Sequence, residues 1–280
     1  MTDYLHSNLD INCKELANVY DEAPLWSAPF GLALLRSIKW RKQITALDIG
    51  YGTGFPLTEL AMRLGNSSHV YGIDPWQAVQ PRVRQKLDCC GINNVTLLSG
   101  SAEDIPLEPR CVDLVVSNNG LNNVADWRTA LSECARVLRP GGQFVQSLNC
   151  PETMSGFYSV LESVLRDAQL LAECQQMHEH IYEKRKPVQE WIDEMQARHL
   201  GVRNVKRDVF EYQFADATAF FNHFFIRLAF LDTWKALVPE NRQSELFGVI
   251  ESRLNEKAGP HGLHFEVPFV VIDSERQSWA

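Results

Sequence analysis

The sequence predicts an α/β fold built on a mostly parallel, seven-stranded sheet, and three observations carry that prediction. Between Ile44 and Leu148, short β-rich runs alternate with helical segments, which is the mark of βαβ units. A glycine-rich turn follows the first run directly, as happens where a strand bends sharply into a helix beside a ligand. Two further β-rich runs, VFEYQF and LHFEVPFVVID, resume the sheet after a helical stretch.

In chain order, the first five runs are ITALDIG, HVYGID, NVTLLSG, VDLVVSN and GGQFVQSLN. Between the first two, Leu57, Leu60, Ala61 and Leu64 form one apolar stripe, with Pro56 at its start and Gly65 at its stop, which predicts a helix. A second stripe, Trp127, Leu131, Cys134 and Leu138, starts after Asp126, an expected N-cap, and ends before Arg139-Pro140-Gly141-Gly142. Beyond Leu148 long helical segments dominate. Val188, Trp191, Ile192 and Met195 repeat at helical spacing after Pro187, with closure expected at Gly201, and VFEYQF then reads as the sixth strand. Residues 216–254 return to helix, where Phe220, Phe221, Phe224, Phe225, Leu228 and Trp234 give a wide aromatic face. Pro268 interrupts the last strand, which predicts a sheet-edge or bulged position. With no internal repeat and no low-complexity tract, residues 1–280 read as one elaborated domain.

Charge narrows the partners. The 280 residues carry a formal net charge of −8 and a sequence pI of about 5.5. Phosphate backbones and anionic membranes are held by an excess of lysine and arginine, so neither nucleic acid nor membrane insertion is expected. No run of eighteen apolar residues occurs, and MTDYLHSNLD lacks the basic and apolar regions of a signal peptide, so a cytoplasmic protein is expected. The 7 cysteines form no CxxC pair, and Cys89 and Cys90 are adjacent, which suits reduced, packed thiols better than a disulfide framework.

The chemistry concentrates in Gly50-Tyr51-Gly52-Thr53-Gly54, directly after the first strand. A dinucleotide-binding GxGxxG would need glycine at position 55, where the chain has Phe55. Here the glycines alternate, and Asp74 closes the second strand. A carboxylate at that place accepts two hydrogen bonds from a vicinal diol such as a ribose.

With its leading acid, the segment Asp48-Ile49-Gly50-Tyr51-Gly52-Thr53-Gly54 resembles the first motif of the class I S-adenosylmethionine-dependent methyltransferases. Three further segments match that family in order: Gly100-Ser101-Ala102-Glu103-Asp104-Ile105-Pro106, Val112 to Asn118, and Arg136-Val137-Leu138-Arg139-Pro140-Gly141-Gly142-Gln143-Phe144. The resemblance covers residues 44–148 by motif and the rest by architecture. It implies a Rossmann-like sheet with helices on both faces, the last strand antiparallel, and S-adenosylmethionine as cofactor. It further implies a helical lid over residues 1–40, a cofactor-binding core over 41–150, and the rest of the sheet over 151–280 with a helical acceptor-binding cap at about 214–258.

Residue by residue, the resemblance places Asp48, Gly50, Gly52, Thr53 and Gly54 at the methionine part of the cofactor and Asp74 at the ribose. Pro75 and Trp76 fall against the adenine face, and Ser101, Ala102 and Glu103 at its edge, with Glu103 taking the amino group where many relatives have an acid at position 101. Asn118 faces the cofactor. Tyr20, in VYDEAPLW, resembles a tyrosine of the quinone-methylating group that closes over the ligand, and the alternative is ordinary helix packing.

Methyl transfer from a sulfonium asks mainly for alignment and exclusion of water, so no catalytic residue is assigned. His178, His180, His223, Tyr158 and Tyr182 are the candidates for a general base, and none has a motif behind it. Asn118-Asn119-Gly120-Leu121-Asn122-Asn123 contains no carboxylate, against the acids with which catechol-type relatives hold magnesium, so a metal-free reaction is expected, with Asn119 or Asn122 orienting the acceptor. The pairs His178/His180 and His261/His264 lack further ligands at metal spacing. The aromatic face at Phe220–Trp234 reads either as the wall of a pocket for a small apolar or aromatic acceptor, such as a quinone-like precursor, or as a buried helix or homodimer contact. Three other readings remain: an NAD(P)-dependent oxidoreductase on the same fold, a cofactor-binding protein without catalysis, and an arsenite methyltransferase using Cys150 and Cys174.

Overall fold

The computed structural model describes residues 3–6, 9, 10, 12–20 and 26–278. It divides into two compact units. The sheet unit comprises Asn12–Asn149, Lys186–Asp208 and Phe269–Ala280, and the helical unit comprises Met1–Ile11, Cys150–Arg185 and Val209–Pro268.

The strands are β1 (Thr45–Ile49), β2 (His69–Asp74), β3 (Val95–Ser99), β4 (Val112–Asn118), β5 (Leu138–Asn149), β6 (Leu200–Phe214) and β7 (Leu263–Arg276), in the order β3-β2-β1-β4-β5-β7-β6. β1 to β5 pair in parallel, whereas β7 runs antiparallel to β5, from Gln143 opposite Glu275 to Asn149 opposite Phe269. The fold is therefore the expected one. β1 lies between β2 and β4, so the chain reverses direction across the sheet there. In open α/β sheets, ligands bind at the carboxyl ends of the strands beside such a reversal.

Around the strands, the sheet unit contains α1 (Lys14–Val19), α2 (Ser27–Ser37), α3 (Leu57–Leu64), α4 (Gln80–Cys89), α5 (Trp127–Val137) and α8 (Val188–Ala197). α3 occupies the segment its stripe predicts, and α5 ends at Val137, so that Leu138, the last residue of the second stripe, opens β5 instead. Gly65 ends α3 at φ 69°, and the Asp126 carboxylate caps α5 by accepting from the Thr129 N–H at 3.0 Å. α8 is tied to α5 by Trp127 against Trp191, ring centroids 4.2 Å apart, and by Arg128 ion-paired to Glu190 and Glu194.

The helical unit contains α6 (Ser155–Asp167), α7 (Leu171–Lys184), α9 (Ala217–Asn222), α10 (Phe224–Ile226), α11 (Asp232–Lys235) and α12 (Gln243–Lys257), with a wide turn at Arg227–Leu231 joining α10 to α11. Its core is aromatic. Phe157 stacks on Trp234 at 3.8 Å between centroids, Phe220 meets Phe221 at 5.0 Å and Phe265 at 4.6 Å, and Tyr4 stacks on Phe221 at 4.8 Å.

Two local expectations are corrected. Gly201 does not close α8, which ends at Ala197; it lies in β6, which begins at Leu200. The reversal is made by His199 at φ 59°, and Gly201 lies against the end of the Gln277 side chain, 2.5 Å from where a Cβ would stand. β7 is not a sheet edge, since it runs between β5 and β6. Pro268 is tolerated because the β5 ladder starts one residue later, at Phe269, so no N–H is required of the proline.

Candidate functional site

The turn after β1 is shaped by its backbone. The Gly50 N–H donates to the Ile73 carbonyl at 2.9 Å and the Gly54 N–H to the Tyr51 carbonyl at 2.8 Å, while Gly50, Gly52 and Gly54 take φ of 76°, 50° and 111°. The glycines serve different ends. A Cβ on Gly50 would lie 2.8 Å from the Gly120 Cα, whereas one on Gly52 would meet nothing within 4 Å. Gly50 is thus a packing requirement, where the turns after β1 and β4 touch, and Gly52 borders open space.

Asp74 locks this turn to the next strand. One carboxylate oxygen accepts from the Gly52 N–H at 2.7 Å, the other from the Trp76 N–H at 2.7 Å, and each keeps a lone pair for a further donor. Burial raises its carboxyl above the usual range while these two N–H bonds hold it down. Behind it, Asp48 is fully buried, and neither carboxylate oxygen has a hydrogen-bond partner among the described residues. Burial first, and then the negative charge of Asp74, push its pKa up to about 8.

Trp76 is met edge-on by Tyr20, at 5.4 Å between centroids and 84° between planes. Tyr20 therefore sits beside the turn that Asp74 closes; its neighbour Asp21 lies outside the described residues. The N-terminal stretch divides between the units, with residues 3–6 in the helical unit and 12–20 and 26–37 in the sheet unit.

Ser101 and Glu103 form a small turn in which the Glu103 N–H donates to the Ser101 hydroxyl at 3.4 Å. One Glu103 oxygen accepts from the Asp126 N–H at 3.2 Å, and Ala102 is buried. Asn118, at the end of β4, donates to the Ser27 carbonyl at 3.2 Å and accepts from the Ser147 hydroxyl at 2.8 Å, so its amide braces α2 and β5. In the following turn, Asn122 donates to the side chains of Asn119 and Asn149, and the buried Asn119 amide nitrogen keeps its own N–H bonds without a partner.

Sequence reasoning missed Lys86 on α4, whose ammonium donates to the Thr53 carbonyl at 2.6 Å and steadies the glycine turn. It also missed Gly120, where a Cβ would collide with the Ile49 carbonyl oxygen. The dipeptide Asn119-Gly120 was a turn signal, but only the paired ends of β1 and β4 explain why the turn must be so tight.

Of the candidate bases, His178 is half-exposed and lies 3.5 Å from Glu162, and Tyr182 is exposed. Burial and the charges of Arg185 and Lys184 pull His180 down to about 4, and burial lowers His223. Tyr158 accepts a hydrogen bond from the Trp234 indole N–H at 3.1 Å. No three His, Cys, Asp or Glu side chains gather as a metal-holding group among the described residues.

Residues 47–146, from β1 to the middle of β5, match the methyltransferase domain family. The matched segment contains the glycine turn after β1 and Asp74. A similar protein is the demethylmenaquinone methyltransferase of Geobacillus stearothermophilus, 33% identical over 136 residues, or 45% of this chain and 58% of that one. The chain thus spans just over half the length of the curated relatives it matches. Among solved structures, YcgJ of Bacillus subtilis superposes with a TM-score of 0.58 at 18% identity, over 90% of this chain and 99% of that one. A geranyl diphosphate methyltransferase in complex with S-adenosylmethionine superposes with a TM-score of 0.55 at 18% identity, over 98% and 94%. The structural likenesses carry the seven-stranded fold of the methyltransferase domain across nearly the whole chain.

Proposed function

We propose that the chain transfers the methyl group of S-adenosylmethionine to a small apolar or aromatic acceptor, without a metal ion. The observation that carries the reading is the pair of carboxylates beside Gly52: Asp74 with open lone pairs at the rim, and Asp48 behind it, buried with both oxygens unpartnered. A buried acid without a partner is costly. A cationic, diol-bearing ligand meets both needs at once. The donor set therefore fits a sulfonium nucleoside: Asp74 would hold the ribose hydroxyls, the open face of Gly52 admits the methionine portion, and Trp76 with Tyr20 offers ring surface for the base. Bound there, S-adenosylmethionine supplies an electrophilic methyl group on a good leaving group.

The chain's own contribution is then alignment and exclusion of water. The Asn119 amide, with N–H bonds unengaged, is the group we assign to orienting the acceptor in place of Asn122. The acceptor-binding segment proposed at 214–258 falls within the helical unit. Phe220, Phe221 and Trp234 are fully buried against one another, so they form that unit's core and the acceptor lies against other rings.

Calorimetric titration tests the reading. S-adenosylhomocysteine should bind the whole chain at micromolar concentration, and a screen with labelled S-adenosylmethionine should transfer label to an apolar fraction of small metabolites. A folded protein that takes up neither S-adenosylmethionine nor its demethylated product would end it.

A further inference from the structure

Within the helical unit lies a charge that the cofactor chemistry does not use. Arg185, at the C-terminal end of α7, is only 4% exposed, and its Nε and Nη1 have no hydrogen-bond partner. Its guanidinium lies over two rings, 5.7 Å from the centroid of Phe230 and 6.0 Å from that of Tyr158. Such cation–π contacts recover only a small part of what a guanidinium loses when water is removed and no anion replaces it. Lysine and arginine are almost never fully buried unless paired, so this one is poised for a partner that the described residues do not supply.

The surroundings say what kind. Tyr158 uses its oxygen to accept from the Trp234 indole, which leaves its O–H hydrogen for an acceptor elsewhere. Phe230 lies 5.1 Å from Trp234, and Tyr158 lies 6.3 Å from His180, ring centroid to ring centroid. Two donor groups thus converge within aromatic walls, and among the described residues no carboxylate pairs with Arg185.

We propose that Arg185 and Tyr158 form a binding site for an oxyanion carried on a flat, apolar body, a carboxylate in preference to a phosphate. One positive charge in an apolar wall is neutralised by one negative charge. A phosphomonoester, at −1.5 to −2 near neutral pH, would leave uncompensated charge in the same wall. The guanidinium offers several N–H bonds to the two carboxylate oxygens, which is the geometry arginine provides and lysine does not. This rests on the methyltransferase reading only in assigning the ligand as the methyl acceptor, which would then be an aromatic or unsaturated carboxylic acid; the anion site itself does not depend on it.

The test uses the whole chain, with benzoate, phenyl phosphate and benzyl alcohol as probes and S-adenosylhomocysteine as the independent control. Benzoate should bind in calorimetry and raise the melting temperature, phenyl phosphate should bind at least tenfold more weakly, and benzyl alcohol should not bind measurably. Arg185→Met should abolish benzoate binding, and Arg185→Lys should weaken it at least tenfold, while both bind S-adenosylhomocysteine as the parent does. Benzoate binding that is absent from the parent, or equal in Arg185→Met, overturns the proposal, and so does preference for phenyl phosphate. If Arg185→Met does not fold, the Arg185 Nε–H resonance of the parent decides: a saturable shift on adding benzoate supports the site, and an unmoved resonance overturns it. Loss of S-adenosylhomocysteine binding alone would sink the methyltransferase reading and leave this site standing.

Discussion

The two units hold their shape by different means. In the sheet unit the functional turn is defined by main-chain groups: Gly50 to Ile73, Gly54 to Tyr51, and the Gly52 and Trp76 N–H groups to one carboxylate. In the helical unit the organising contacts are between rings, Phe157 on Trp234, Phe220 on Phe265 and Tyr4 on Phe221, drawn from segments far apart in the chain. A backbone site constrains residue type at fixed spacing, because each φ and each close approach names its residue. A ring cluster constrains only volume and polarity, so many sequences satisfy it. The sheet unit therefore announces its chemistry and the helical unit conceals it.

Substitutions can break or sharpen that contrast. The largest effect should come from Phe220→Ala, which opens a cavity in the aromatic cluster and should cost about 3–5 kcal/mol of stability by chemical denaturation. If the units differ as described, S-adenosylhomocysteine affinity should stay within about twofold of the parent wherever the variant is folded. A parallel loss of affinity would break the distinction. Asp74→Asn removes the charge that accepts from Gly52 and Trp76 while keeping the shape, and should weaken S-adenosylhomocysteine binding by about 2–3 kcal/mol in calorimetry.

A finer comparison lies inside the turn itself. Gly50→Ala and Gly52→Ala each impose a left-handed φ on a side chain, at about 1–2 kcal/mol. Gly50→Ala should lose more stability, because its Cβ meets the Gly120 backbone. Gly52→Ala should lose more affinity, because its Cβ enters the open space. Thermal melts and titration on the same pair separate the two roles.

The burial of Asp48 predicts a pH slope. Asp48 ionises near 3.8 when unfolded and at about 8 when folded, so between those values the native state holds a proton that the unfolded state has released. Stability should therefore fall as pH rises through that window, by at most about 1.4 kcal/mol per unit, and level off above it. Asp48→Asn, which carries no proton to lose, should flatten the slope in denaturation curves at pH 5, 6, 7 and 8. An unchanged slope would mean that Asp48 keeps its charge in the fold.

Much of the sheet unit was legible because periodicity and caps act locally. α3 and α5 follow their apolar stripes, and β1 to β4 end within a residue or two of the runs that predict them. Where spacing was silent, reading went astray. Gly201 looked like a helix stop because nothing nearby reveals the Gln277 side chain against it. Pro268 looked like an edge because the register of the β5 ladder is invisible from β7 alone. Lys86 carried no signal at all, since a lysine on an exposed helix is ordinary until the Thr53 carbonyl is seen beneath it.

By itself the sequence determined the fold class, the glycine turn and the acid at the end of β2, because these depend on backbone geometry and on neighbours a few residues away. Only the tertiary structure decided that, among the described residues, Asp48 is buried without a partner, Asn119 and not Asn122 keeps free N–H bonds, and Arg185 lies unpaired between Tyr158 and Phe230. Burial and pairing are properties of what the rest of the chain brings alongside a residue, and no local pattern encodes them.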